Sequence, residues 1–178
     1  NALAALLMAR YAGLGDEQIQ AGFDTFEGIR RRMEIRGEVN GVTIIDDFAH
    51  HPTAIRETLK ALGQRYPGRR VWAIFEPRSN TTRRNHFQDE LASALRLAKR
   101  VVVAEVARLE QIPAEERLDP GRLMEDIRSA GTTADYLATT DEIVTHVTAQ
   151  AEPSDILCVL SNGGFGNIHQ KLLDALGR

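Results

Sequence analysis

One cysteine in 178 residues excludes a disulfide framework within the chain. Cys158 stands inside the apolar run "DILCVL" and reads as a buried thiol in a reducing compartment, not as a metal ligand or a nucleophile. Long hydrophobic runs are also missing. The longest, "ALAALLMA" and "ILCVL", fall well short of the ~18 residues that span a bilayer, so they read as core and no membrane partner is expected. Nor is there an excess of one charge. Twenty-two Lys and Arg against 25 Asp and Glu give a net −3, which argues against a general nucleic-acid or acidic-membrane binder. There is no repeat, no low-complexity tract and no signal peptide, which gives the expectation of a cytoplasmic protein. Asn1 is not a natural start, so the expectation is also that residues precede it.

What is present is an ordinary globular composition, 43% hydrophobic and 26% charged, on a chain long enough for one full core. Residues 2–12 are rich in helix formers. "GDEQIQAGF" reads as a second short helix capped by Asp16, and "FDTFEGI" as a linker. From Arg31 the pattern changes. "RRMEIRGEV" alternates like a half-buried strand, "NG" at 40 and 41 marks a hairpin turn, and "VTIIDDF" returns. Helices and apolar strands then alternate regularly. The strands are "RRVWAIFEP", "KRVVVAEV", "ADYLA" and "SDILCVLS". The helix "TDEIVTHVTAQA" has Thr140 or Asp141 as its expected cap. Continuous apolar strands between helices predict an α/β fold of three layers: a Rossmann-like, mostly parallel sheet, helices on both faces and an antiparallel edge hairpin.

In such sheets ligands bind outside the carboxyl ends of the strands. Four segments are expected there: "DDFAHHP" (46–52), "EPRSNTTRRN" (76–85), "AEVARLEQIP" (104–113) and "SNGGFGN" (161–167). The first, second and fourth are polar or glycine-rich, and one crevice would gather them. Asp46 and Asp47 are neighbours on a strand and face opposite ways, so one meets the crevice while Asp46 reads as a helix cap. His50 and His51 lack a third histidine or cysteine nearby, so no protein-built metal site is expected, and hydrogen bonding to a phosphate or carboxylate is preferred. Arg78, Arg83 and Arg84 have the fork geometry for carboxylates and phosphates, although a solvated basic face is about as good an account of the charge alone. The glycine turn has neither the GxGxxG spacing nor GK[ST], and either admits a ligand closely or is simply tight. "RRR" at 30–32 can be read as no more than an exposed strand edge.

The residues then go further than the pattern. "DDFAHHPTAI" resembles the signature of the carboxy-terminal domain of the Mur ligases, which build peptidoglycan precursors. "GIRRRMEIRGEVNG" is similar to the segment that opens that domain, and "NALAALLMAR" resembles the end of the family's central ATPase domain. The resemblance covers essentially the whole chain. Phe48 and Ala49 in the motif, "EPRSNT" and "SNGGFGNIHQKLL" are similar to the branch that joins a murein tripeptide, rather than L-alanine, to UDP-N-acetylmuramate.

The resemblance implies an ATP-dependent amide-bond ligase that works through an acyl phosphate. Residues 1–22 would end the preceding domain, 23–30 would be the hinge, and 31–178 the carboxy-terminal domain. By the same resemblance Asn1 touches adenine, Arg32 the ATP phosphates and Asp47 the ribose, while His50 and His51 line the amine or phosphoryl site. Arg78, Ser79, Asn80 and Arg84, with Asn162, Gly163 and Gly164 opposite, are the expected contacts to the incoming peptide. Mg2+ ligands are expected from the central domain, because the P-loop and its carboxylates are not in this chain. Its expected partners are therefore the two substrates and those other domains, and the chain alone is expected to be inactive. Two other readings stay open: a non-catalytic anion-binding module, and a metal-dependent phosphohydrolase using Asp47, His50 and His51.

Overall fold

The computed structural model describes residues 2–178, and the expected adenine contact of Asn1 lies outside them. Two compact units divide the chain, residues 1–30 and 31–178. The first contains α1 (Ala2–Tyr11) and α2 (Asp16–Asp24). Gly13, at φ +86°, turns the chain between them in a conformation that suits glycine. Asp16 is the first residue inside α2 and not its cap. Gly15 is the cap, and its N–H donates to the Gln18 side chain at 3.1 Å. Two helices cannot enclose a core. Leu3, Leu7, Met8, Tyr11 and Phe26 are all exposed, and an apolar cavity of about 530 Å³ opens between Ala5, Ala9, Leu14, Ile19 and Phe23.

The second unit carries β1 (Glu34–Val39), β2 (Val42–Asp47), α3 (Pro52–Arg65), β3 (Val71–Phe75), α4 (Gln88–Leu95), β4 (Arg100–Ala104), α5 (Pro120–Ser129), β5 (Thr133–Leu137), α6 (Thr140–Thr148), β6 (Ile156–Leu160) and α7 (Ile168–Leu176). The strands form one sheet in the order β1-β2-β6-β3-β4-β5. Only β1 runs antiparallel, joined to β2 through Asn40 and Gly41, both at positive φ, as an Asn-Gly hairpin requires. This is the α/β sheet with an edge hairpin that the alternation predicts.

Successive strand residues face opposite sides, and each side has its own core. Ile45, Ala73, Phe75, Val101, Val103, Cys158 and Leu160 pack under α3, α4 and α5. Ile44, Trp72, Ile74, Val102, Leu157 and Val159 pack under α6 and α7. At the amino ends of the parallel strands, Arg70 holds buried Asp155 with two bonds of 2.7 Å, and the Trp72 indole N–H donates to the same carboxylate at 2.9 Å. The carboxyl ends are left for other work. The register sets Asp47 and Phe75 both beside Leu160, so the ends of β2, β6 and β3 lie level and adjacent.

Candidate active site

That adjacency brings together the three segments expected to meet. Asp47 comes first because it is the most occupied. Its Oδ2 accepts from the Met33 N–H at 2.8 Å, and its Oδ1 from the Ala49 N–H at 2.8 Å and from Thr58 Oγ1 at 3.2 Å. The residue is only 3% exposed. The carboxylate expected to meet a ribose is thus occupied by donors of this chain. Its bonds instead shape residues 31–33. Arg31 and Met33 take φ of 58° and 49°, a left-handed conformation that costs a non-glycine residue on the order of 1 kcal/mol. The arrangement holds because the Arg31 N–H donates to Glu34 Oε2 at 2.7 Å and the Phe48 N–H donates to the Arg31 carbonyl at 2.8 Å. Arg32, between the two left-handed residues, is exposed, with its guanidinium 5.6 Å from the centroid of the Phe48 ring.

Asp46 does not cap α3, as it was expected to; His51 does. Buried Asp46 faces Arg31 Nε at 3.3 Å and His169 Nε2 at 3.3 Å, the latter off the line of a hydrogen bond. Burial pushes its carboxyl up, but His169 and Arg31 together outweigh burial and hold it below the usual aspartate range. Arg31 also donates through Nη2 to the carbonyls of Ser161 and Gly163, at 2.7 and 2.8 Å. One guanidinium thus ties the start of the unit to the end of β2 and to the glycine turn. "RRR" is more than an exposed edge.

The two histidines differ in environment and in tautomer. His50 is half-buried, and its Nδ1 lies 2.9 Å from the Phe48 carbonyl. A carbonyl only accepts, so Nδ1 carries the proton. The exposed His51 uses Nδ1 to accept the Thr53 N–H at 3.3 Å, capping α3, so in the neutral ring its proton is on Nε2. His51 also packs edge-on against Phe87, 4.8 Å between centroids, and His50 against Phe48 at 5.4 Å.

The glycine turn meets the loop after β3. Buried Ser161 donates through Oγ to Glu76 and accepts the Gly163 N–H at 2.9 Å. Exposed Arg78 lies along Gly163, with Nη1 3.9 Å from Glu76. Gly164 is exposed with open space around it, and Asn162 Oδ1 is buried without a partner. Three expected peptide contacts are otherwise engaged. Ser79 Oγ bonds Thr82, Asn80 accepts from Arg83 at 2.7 Å, and Arg84 pairs with Glu116. The chain just beyond the strand-end segment after β4, residues 115–118, therefore acts as a brace. The Leu118 N–H donates to the Arg83 carbonyl at 3.0 Å, and Asn85 donates to the Glu115 carbonyl at 2.7 Å.

The sequence assigns no individual role to Arg31, Phe48, Glu76 or His169. Each stands inside a quoted segment, but its partners are set by three-dimensional neighbourhood. The exposed Arg32 and Arg78 fit a phosphate or carboxylate. Asp46, Asp47 and Glu76 are all engaged, and no three His, Cys, Asp or Glu side chains among the described residues are grouped to hold a metal ion.

Comparison with known proteins fits this geometry. Residues 31–163 match the family described as Mur ligase, glutamate ligase domain, a span from Arg31 to the glycine turn. The chain is 40% identical, over its whole length, to the UDP-N-acetylmuramate–L-alanyl-γ-D-glutamyl-meso-2,6-diaminoheptandioate ligase of Escherichia coli. It is 34% identical, over 99% of its length, to the UDP-N-acetylmuramate–L-alanine ligase of Salinibacter ruber. The crystal structure of a murein peptide ligase from Psychrobacter arcticus superposes with a TM-score of 0.75 at 37% identity, covering 99% of this chain and 36% of that one. The chain spans 37% of the length of both curated relatives. The fold, the motif and the matched span agree that this chain belongs to the Mur ligase family.

Proposed function

We propose that residues 31–178 are the carboxy-terminal, substrate-binding domain of an ATP-dependent ligase. The reaction joins L-alanyl-γ-D-glutamyl-meso-diaminopimelate to UDP-N-acetylmuramate in peptidoglycan recycling, in the cytoplasm. Residues 1–22 end the preceding ATPase domain, and 23–30 are the hinge. The observation that carries the reading is the end-to-end similarity, at 40% and 39% identity, to two ligases of that tripeptide, set against 31–38% for L-alanine ligases. ATP would supply the phosphoryl group that turns the sugar's carboxylate into an acyl phosphate.

The roles of this chain's own residues follow from their placement. Arg32 is exposed on a braced segment and meets the nucleotide's phosphates as the domains close. Asp47 serves the nucleotide indirectly, by fixing Met33 and Ala49 on either side of its carboxylate. Arg78, along the glycine turn, takes a carboxylate of the peptide, and closure excludes water from the acyl phosphate. Ser79, Asn80 and Arg84 shape that loop from behind. The chain alone is inactive in this reading, because the P-loop and the Mg2+ ligands belong to domains it does not contain.

The test is phosphate release by the complete protein given ATP, magnesium and UDP-N-acetylmuramate, with either the tripeptide or L-alanine. Release with the tripeptide is expected. Release with L-alanine alone would move the protein to the other branch.

A further inference from the structure

Besides His50, five ionisable groups other than arginine follow or end β2 and β3. His86 is exposed against Phe87, and the other four are engaged. Asp46 faces Arg31 and His169. Asp47 accepts three bonds. Glu76 accepts from Ser161 and faces Arg78. His51 uses the Nδ1 lone pair to cap α3 and turns a donor outward. His50 is the one half-buried group of the set with a ring nitrogen left over. Its Nδ1–H is bound to the Phe48 carbonyl, so the neutral ring carries its lone pair on Nε2. Nε2 has no partner among the described residues and is not among the sealed, unpartnered polar atoms. The Phe48 ring, at 88° to the imidazole, fixes its orientation.

We propose that His50 Nε2 is the proton acceptor for the incoming amine, which assigns the two histidines different work. The proposal rests on the ligase reading above. The peptide arrives as an ammonium, whose nitrogen has no lone pair. Nε2 takes one proton, and the freed pair attacks the carbonyl carbon of the acyl phosphate. A C–N bond forms, and the C–O bond to phosphate then breaks with its electrons leaving on the phosphate. The second proton of the tetrahedral nitrogen departs with that phosphate. His51, a cap with an outward N–H, cannot take the first proton without leaving its helix end.

The experiment compares two amines on the complete protein carrying His50→Asn. Asparagine keeps an N–H for the Phe48 carbonyl but has no acceptor where Nε2 was. With ATP, magnesium and UDP-N-acetylmuramate, one reaction receives the tripeptide. The other receives hydroxylamine, which is largely uncharged at neutral pH and traps acyl phosphates as hydroxamates without a base. Amide formation is expected to fall by ~10²–10⁴-fold, while hydroxamate stays near the wild-type level. Unchanged amide formation would overturn the proposal. So would loss of both products in a variant that still melts like wild type, since His50 would then act on phosphoryl transfer. If the wild type makes neither product, the ligase reading itself fails and takes this proposal with it. Ring ¹⁵N shifts of His50 in the unmutated chain give a check that needs no variant to fold. The Nδ1–H tautomer is expected, and Nε2–H would overturn the assignment.

Discussion

Arg78 lies across Gly163, so closely that a Cβ on that glycine would stand 2.6 Å from Arg78 Cδ and 2.8 Å from Nε. Gly163 does not take a positive φ, so what this position lacks is space. Gly163→Ala should therefore push a flexible arginine aside and leave the backbone in place. The KM for the peptide is expected to rise about tenfold, worth roughly 1.4 kcal/mol, with the KM for ATP unmoved. Arg78→Ala should do the same, and the double variant should be no worse than either. Additive losses would show that the two positions act independently.

Asp47 is an internal strut. Asp47→Ala leaves the Met33 and Ala49 amides without their acceptor, at a cost of about 2–4 kcal/mol. The urea midpoint should fall accordingly, and ATP-dependent turnover of the complete protein should fall with it. Turnover lost at full stability would mean that the carboxylate meets the nucleotide directly after all.

Arg84 separates a brace from a ligand. Its partner Glu116 is half-exposed, so the pair itself contributes less than about 1 kcal/mol. Arg84→Glu sets two like charges together and should loosen the loop after β3, raising the KM for the peptide. Adding Glu116→Arg restores the pair in reverse and should restore the KM. A swap that rescues nothing would make Arg84 a direct contact.

Most of the fold was legible because its signals are local. Each strand from "RRVWAIFEP" to "SDILCVLS" is a short apolar run between helices, and "NG" at 40 and 41 forms the hairpin it predicts. Helix caps were less legible. α6 begins from Thr139, not from Thr140 or Asp141, because Glu142 three residues on completes a box with Thr139. The site was legible as a place and less so as a set of roles. Strand-end chemistry pointed to Asp47, Arg78 and the histidines, but Asp47 is buried by donors on three separate segments, Met33, Ala49 and Thr58. Arg31 bonds Ser161 and Gly163 across the whole unit, and no spacing rule reaches that far. The family resemblance supplied Arg32, which composition alone leaves as one of three exposed arginines.

Acid should test the two buried aspartates. Burial pushes Asp155 up, but the Arg70 fork, the Glu152 N–H and the Trp72 indole outweigh it, and Asp46 is likewise held down against burial by His169 and Arg31. Both carboxyls thus keep their charge in the folded chain to lower pH than in the unfolded one. Their stabilisation is complete above the ordinary aspartate value of about 4, and is lost as pH falls from there through the depressed folded values. Urea midpoints measured from pH 7 to pH 3 should stay level and then drop. Asp155→Asn should be less stable at pH 7, with a shallower drop. An equal drop would show that Asp155 titrates alike in both states.

The position of β6 has a consequence for how the molecule is made. Strand β2 and strand β3 are separated by 23 residues of chain but never touch, because the strand between them is the last one synthesised. Until Ile156–Leu160 emerges from the ribosome, the sheet exists as two pieces, β1-β2 and β3-β4-β5, with a gap where the seam belongs. The same insertion delivers Ser161 to Glu76 and the Gly163 carbonyl to Arg31. A product terminated before β6 therefore exposes two open strand edges and lacks these contacts, which makes it prone to aggregate.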